Sequence, residues 1–147
     1  MDHINQTIFF IIIISSIHLN FTFANCLEAD GDYFEGTKKV LNIKKIDCET
    51  IVVTRFGIAS TEINTKIKIN ESRKCDEFES QSICYSASDL GSHKFKFSLR
   101  DISKSSSEIV ESNYLVDSVK NEILFKGYLR RGKLLFRRIE EKTLKKQ

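Results

Sequence analysis

"TEINTKIKIN", Thr61 to Asn70, alternates along its whole length: Ile63, Thr65, Ile67 and Ile69 stand on one side, and Glu62, Asn64, Lys66, Lys68 and Asn70 on the other. Successive side chains of an extended chain point to opposite faces, so this period of two describes a strand with one buried and one wet face. "HKFKFSLR" repeats the pattern, with Phe95, Phe97 and Leu99 set against Lys94, Lys96, Ser98 and Arg100. Working outward, Asp32–Thr37, Val40–Ile46, Thr50–Phe56, Ile83–Ala87, Ile109–Val116, Asn121–Tyr128 and Lys133–Ile139 are less regular but rich in β-branched and aromatic residues. That composition suits a pleated, half-buried surface, and about nine strands are expected in all.

The connections agree with a meander. "NIKKIDCETIVV" and "GYLRRGKLLF" each place a short polar break between apolar runs, as hairpins do, and "SKSSSE" (Ser103–Glu108) reads as a loop. No long helical stripe and no internal repeat interrupts them; a short helix over Ile139–Leu144, on a charged C-terminal tail, is the exception expected. The chain contains 0 Pro, so the interleaved lysines are left to protect strand edges by charge. Strands joined by short turns, without room for crossover helices, predict an all-β antiparallel meander closing into a small barrel of about eight or nine strands, with a β-sandwich as the alternative. A barrel of that size is filled by side chains or holds one small ligand.

"GDYFEGTKKVLNI" followed by "CETIVVTRFG" resembles the opening of lipocalin-like (calycin-type) barrels, which begin with Gly-x-Trp on the first strand. Gly31 and Tyr33 take those two places, with Tyr substituting in a chain that has 0 Trp. The resemblance implies an Arg from the last strand lying over that aromatic, with Arg137 and Arg138 as candidates, and it implies ligand binding inside the barrel.

The N-terminus sets the compartment. "MDHINQT" is polar, "IFFIIII" (Ile8–Ile14) is wholly apolar, and Ser15 to Ala24 mixes small, apolar and polar residues. That order describes a secretory leader over residues 1–24, cut after Ala24, with Thr22 and Ala24 as the two small residues of the site. A membrane-spanning helix wants about 20 predominantly apolar residues, and Ser15, Ser16, His18 and Asn20 break the run too early. Residues 25–147 then form one disulfide-stabilised domain, secreted or periplasmic. The competing address is a lipid anchor on Cys26, but Phe23, Ala24 and Asn25 before it match a lipoprotein signal poorly.

Parity supports the soluble form. All 4 Cys follow the leader, and an even set in an exported chain is most simply two disulfides. Four cysteines allow three pairings; Cys75 with Cys84 would staple the polar stretch "DEFESQSI", and Cys26 with Cys48 would tie the mature N-terminus to the first hairpin. A zinc site is the rival use, but no C-x2-C or C-x4-C spacing is present.

Catalytic chemistry finds few footholds, and no enzyme is expected. Of 3 His, only His93 lies beyond the leader, in "LGSHKF", which reads as a turn entering a strand. No P-loop or Gly-x-Gly-x-x-Gly is present, and adjacent acids such as Glu140 and Glu141 point to opposite faces of a strand. Catalytic residues, metal ligands and cofactors are therefore all expected to be none. "NES" at Asn70 is an N-glycosylation acceptor where the host is a eukaryote.

Two functions remain open. In a hollow barrel, Tyr33, Phe95, Phe97, Tyr114 and Phe125 would line a site for a small apolar ligand, with the Tyr hydroxyls orienting it. In a filled one, the basic C-terminal hairpin carrying Arg130, Arg131, Lys133, Arg137 and Arg138 would meet an anionic envelope component or a protein partner. A net charge of only +3 gives no reason to expect nucleic acid.

Overall fold

The computed structural model describes Cys26, residues 28–57 and residues 62–147; the expected leader, its cleavage site and Thr61 lie outside the described residues. Ten strands follow one another: β1 (Gly31–Glu35), β2 (Lys38–Asp47), β3 (Thr50–Phe56), β4 (Glu62–Lys68), β5 (Lys74–Glu77), β6 (Gln81–Gly91), β7 (Lys94–Ser103), β8 (Glu108–Asp117), β9 (Glu122–Arg131) and β10 (Arg137–Lys146). They form one antiparallel sheet in the order β4-β3-β2-β1-β10-β9-β8-β7-β6-β5. Sequence neighbours are thus sheet neighbours everywhere but two places. β1 meets β10, with Tyr33 opposite Lys146 and Phe34 opposite Lys145, and β4 and β5 are left as edges.

The sheet curls through 313° into a near-closed half-barrel. Its edges touch where Ile69 bridges Ala87 in parallel and the Asn70 amide donates to the Ala87 carbonyl at 2.9 Å. The Asn70 side-chain oxygen extends this seam by accepting from the Asp89 amide at 2.9 Å. The expected all-β meander is therefore the fold, as a curled single sheet and not a sandwich.

Two elements differ from expectation, and the strand expected over Lys133–Ile139 is displaced: residues 133–136 form the β9–β10 turn, and the strand begins at Arg137. β5 lies inside the stretch read as a loop; every residue of "KCDE" is exposed, so no apolar alternation announces it. It is held by pairing with β6, where Cys75 stands opposite Cys84. The other difference is larger. In place of a helix over Ile139–Leu144 the chain continues as β10, because it pairs with β9 from Arg137 to Lys145 and with β1 at Lys145 and Lys146, and Leu144 becomes fully buried.

In a meander, alternate turns fall at opposite ends. The turns after β2, β6 and β8 lie at one end, here the floor; those after β1, β3, β5, β7 and β9 lie at the other, the mouth. Inward residues near the floor are apolar and packed, among them Tyr33, Ile51, Phe95, Phe97, Val116 and Leu144. Each large apolar side chain so buried contributes about 1.5 to 3 kcal/mol. Disulfides join Cys26 to Cys48 and Cys75 to Cys84, which settles the three pairings the sequence left open. The first ties the start of the described chain to the β2–β3 turn at the floor. Two disulfides fit an oxidising, extracytoplasmic compartment.

Candidate functional site

A column of aromatic rings crosses the inner wall from β7 to β9. The Phe95 and Phe97 rings lie 6.0 Å apart, Phe97 stacks on Tyr114 at 4.4 Å, and Tyr114 leans on Phe125 at 5.1 Å. Strand register causes this, since Phe97 pairs with Tyr114 and Tyr114 with Phe125 across β7, β8 and β9. Phe95 and Phe97 are 0% exposed and Tyr33 only 1%, so these three residues touch no water-sized space. Of the five aromatics expected to line a ligand site, Tyr114 and Phe125 are the least covered, at 5% and 9% exposed, though both pack in the same buried core. Tyr33 instead donates its hydroxyl to the Ala29 carbonyl at 3.0 Å. Burial, helped by the Asp30 charge, pushes that phenol up to about 12.

Above the column the inward positions turn ionic. On β3 the alternation Ile51, Val53 continues to Arg55, and on β7 Phe95, Phe97, Leu99 continues to Asp101. Their side chains meet across the barrel in a two-pronged pair, Nη1 to Oδ2 at 2.8 Å and Nη2 to Oδ1 at 3.1 Å. Burial disfavours the Arg55 charge, but the hydrogen bonds and charge of Asp101 outweigh it and hold its pKa above the ordinary value. Arg55 Nε is buried with no hydrogen-bond partner among the described residues. On β10, Lys142 binds Glu35 at 2.7 Å and Glu140 at 2.8 Å, and its ammonium sits 5.4 Å from the Phe125 ring centre. Burial works against that charge too, and the two carboxylates again raise the pKa.

Tyr114 joins the two groups. Its phenol feels the charges of Arg55, Asp101 and Lys142, and burial pushes its pKa upward. Gly127, inward on β9 between Ser112 and Glu140, lets the Phe125 ring lie across its backbone; a Cβ there would come within 3.3 Å of that ring and 3.5 Å of the Glu140 Cβ. The mouth is thus a half-buried ring of paired charge, Arg55 and Lys142 against Asp101, Glu35 and Glu140, resting on aromatic faces.

The basic hairpin occupies the same end on the outside. Phe136 folds back between two guanidinium groups, 5.4 Å from that of Arg100 and 5.0 Å from that of Arg130. Arg131 pairs with Glu108 at 2.7 Å and Arg138 with Glu141 at 2.5 Å, whereas Lys133 and Arg137 have no acidic partner among the described residues. Arg137 and Arg138 stand opposite Leu129 and Tyr128 at the mouth, while Tyr33 faces Lys146. The Arg over the first-strand aromatic that the lipocalin resemblance implies is therefore not supplied by either residue.

Other candidates have settled places. His93 lies in the β6–β7 turn with φ 61°, its carbonyl accepting from the Ser118 amide and hydroxyl. A hollow outside the seam is lined by Asp47, Glu49, Lys66, Lys68, Glu71 and Lys74, but its Lys74–Glu71 pair at 2.9 Å and Lys68–Glu49 pair at 3.9 Å leave mixed charge. Among the described residues no three His, Cys, Asp or Glu converge to hold a metal ion. Sequence reasoning missed Arg55, Asp101 and Lys142. The signal for the first two was present, since extending the period-two stripe by one step puts each on the inner face. Comparison with protein-family models, with curated proteins and with solved structures finds no match for this chain.

Proposed function

We propose that this is an exported, non-enzymatic binding barrel of lipocalin-like type, secreted or periplasmic, which carries a small amphiphile with an acidic head. The observation behind this reading is the mouth itself: Arg55 and Lys142 point inward above Tyr114 and Phe125, and Arg55 keeps one buried N–H without a partner among the described residues. The tail of the ligand lies against the two aromatic rings, and its carboxylate or phosphate meets the unpartnered Arg55 Nε–H and competes with Asp101 for the rest of the guanidinium. The packed floor limits the site to the upper half of the barrel. Hydrogen bonds to charged groups contribute about 1.5 to 3 kcal/mol, so the head group decides affinity and the tail adds to it.

The test is titration of the exported protein with a long-chain fatty acid bearing a dansyl group, alongside the matching alcohol. Saturable binding of the acid is expected, weakened about tenfold by Arg55→Met, with the alcohol indifferent to that change. Gly127→Leu, whose side chain would press on the Phe125 ring without removing a charge, should weaken binding of both probes. Absence of saturable binding, or binding that neither substitution alters in a folded protein, would sink the carrier reading.

A further inference from the structure

The β9–β10 hairpin ends in a tip whose chemistry the carrier reading does not use. Leu134 is 70% exposed and Leu135 91%, the latter the most exposed of the large apolar residues described. Single exposed leucines are ordinary, but two in succession at the apex of a hairpin are not. They sit in "RRGKLLFRR", so Arg130, Arg131, Lys133, Arg137 and Arg138 all flank them.

The tip is built to project. Gly132 turns the chain with φ 57° and donates its amide to the Ser107 carbonyl at 3.1 Å, tying the hairpin base to the β7–β8 loop. The Leu134 amide closes the turn on the Arg131 carbonyl at 3.2 Å. Behind the leucines, Phe136 is held between Arg100 and Arg130, and Arg100 is itself anchored on Glu111. The base is thus pinned by hydrogen bonds and a cation–π sandwich, while the two leucines touch nothing that would bury them. Lys133 and Arg137, on either side of them, keep their charges unpaired among the described residues.

We propose that this tip docks the protein on an anionic phospholipid bilayer, Leu134 and Leu135 entering the acyl boundary while Lys133 and Arg137 meet the lipid phosphates. Charge complementarity selects the surface. Apolar side chains framed by Lys and Arg form the pattern that lies in a membrane interface, where burial and attraction to anionic headgroups add. A purely polyanionic partner would leave the leucines in water. Because the turn after β9 is a mouth turn, docking also brings the barrel opening to the lipid surface. This inference is independent of what the barrel holds.

The experiment is sedimentation of the protein recovered from an exporting host with vesicles of phosphatidylglycerol and phosphatidylcholine, against phosphatidylcholine alone. Binding to the anionic vesicles only is expected, falling as salt rises. Leu134→Ser with Leu135→Ser should weaken it at least about tenfold, as expected for losing two buried leucines, and Lys133→Glu with Arg137→Glu should abolish it. Since the chain has 0 Trp, Leu135→Trp provides an unmixed emission signal, which should shift to the blue on vesicle addition. All these positions are exposed, and unchanged melting would confirm an intact fold. Equal binding of the serine variant, no blue shift, or capture by heparin beads with no vesicle binding would each overturn the proposal; the last would mean a polyanion is the partner.

Discussion

The floor and the mouth of this barrel use the same strands and the same alternation, yet the inward positions carry opposite chemistry. β3 presents Ile51 and Val53 to the floor and Arg55 to the mouth; β7 presents Phe95, Phe97 and Leu99, then Asp101; β10 presents Leu144, then Lys142 and Glu140. A strand can therefore change its work along its length without changing its geometry. Apolar burial is concentrated at one end, which frees the other to hold charges that would be costly in a core. Those charges persist because each is paired while still partly wet, with the Arg55 and Asp101 side chains 16% and 27% exposed.

If stability does reside at the floor, Phe97→Ala should be the most damaging single change. It removes a ring stacked on Tyr114 and leaves a cavity, so a loss of about 3 to 5 kcal/mol is expected in denaturant titration. A loss below about 1 kcal/mol would mean that the floor is not close-packed.

The disulfides sharpen the contrast. Replacing Cys26 and Cys48, 22 residues apart at the floor, by Ser should cost about 3 kcal/mol, and replacing Cys75 and Cys84, 9 residues apart, slightly less. The second pair should act locally, loosening the exposed β5 and exchanging its amides while the floor stays protected. Uniform exchange across the sheet in that variant would show that β5 is not separable.

Alkaline titration probes a single buried group at the floor. The Tyr33 phenol is raised from 10.0 to about 12 in the fold, so its contribution is complete below pH 10 and is lost as pH climbs from 10 to 12. About 2 kcal/mol should disappear over that window, and Tyr33→Phe should flatten the dependence. The same slope in both proteins would assign the effect elsewhere.

The smallest effect belongs to the mouth. A double-mutant cycle with Arg55→Met and Asp101→Asn should give a coupling of about 1 kcal/mol, because a part-exposed pair gives up much of its attraction to water. A coupling as large as the Phe97 loss would erase the distinction between the two ends.

The fold was readable because one half of the sequence encodes it plainly. "TEINTKIKIN" and "HKFKFSLR" alternate without error, and the break in "NIKKIDCETIVV" falls between strands that do pair, whereas "KLLF", read as the start of a strand, belongs to the β9–β10 turn. β5 was hidden since none of Lys74, Cys75, Asp76 and Glu77 is buried, which leaves burial no pattern to write. β10 was hidden for another reason: its inner face at the mouth is Glu140 and Lys142, so a strand carrying one buried Leu144 looks like a charged tail. The mouth was half legible. Arg55 and Asp101 continue stripes already traced, but that they meet depends on curling the sheet, and strand pattern alone carries no curvature. The basic residues of the hairpin could be counted in advance; which of them are already paired could not.

The pairing of β1 with β10 has a kinetic side. The chain enters its own sheet in the middle, so the ring cannot close until the final strand has been delivered to the first, and such distant contacts slow folding. Joining the two ends and opening the chain in the β4–β5 turn would make every neighbour in the sheet a neighbour in sequence. The permuted protein should keep its contacts and fold faster, with new ends at a seam that already lacks continuous pairing.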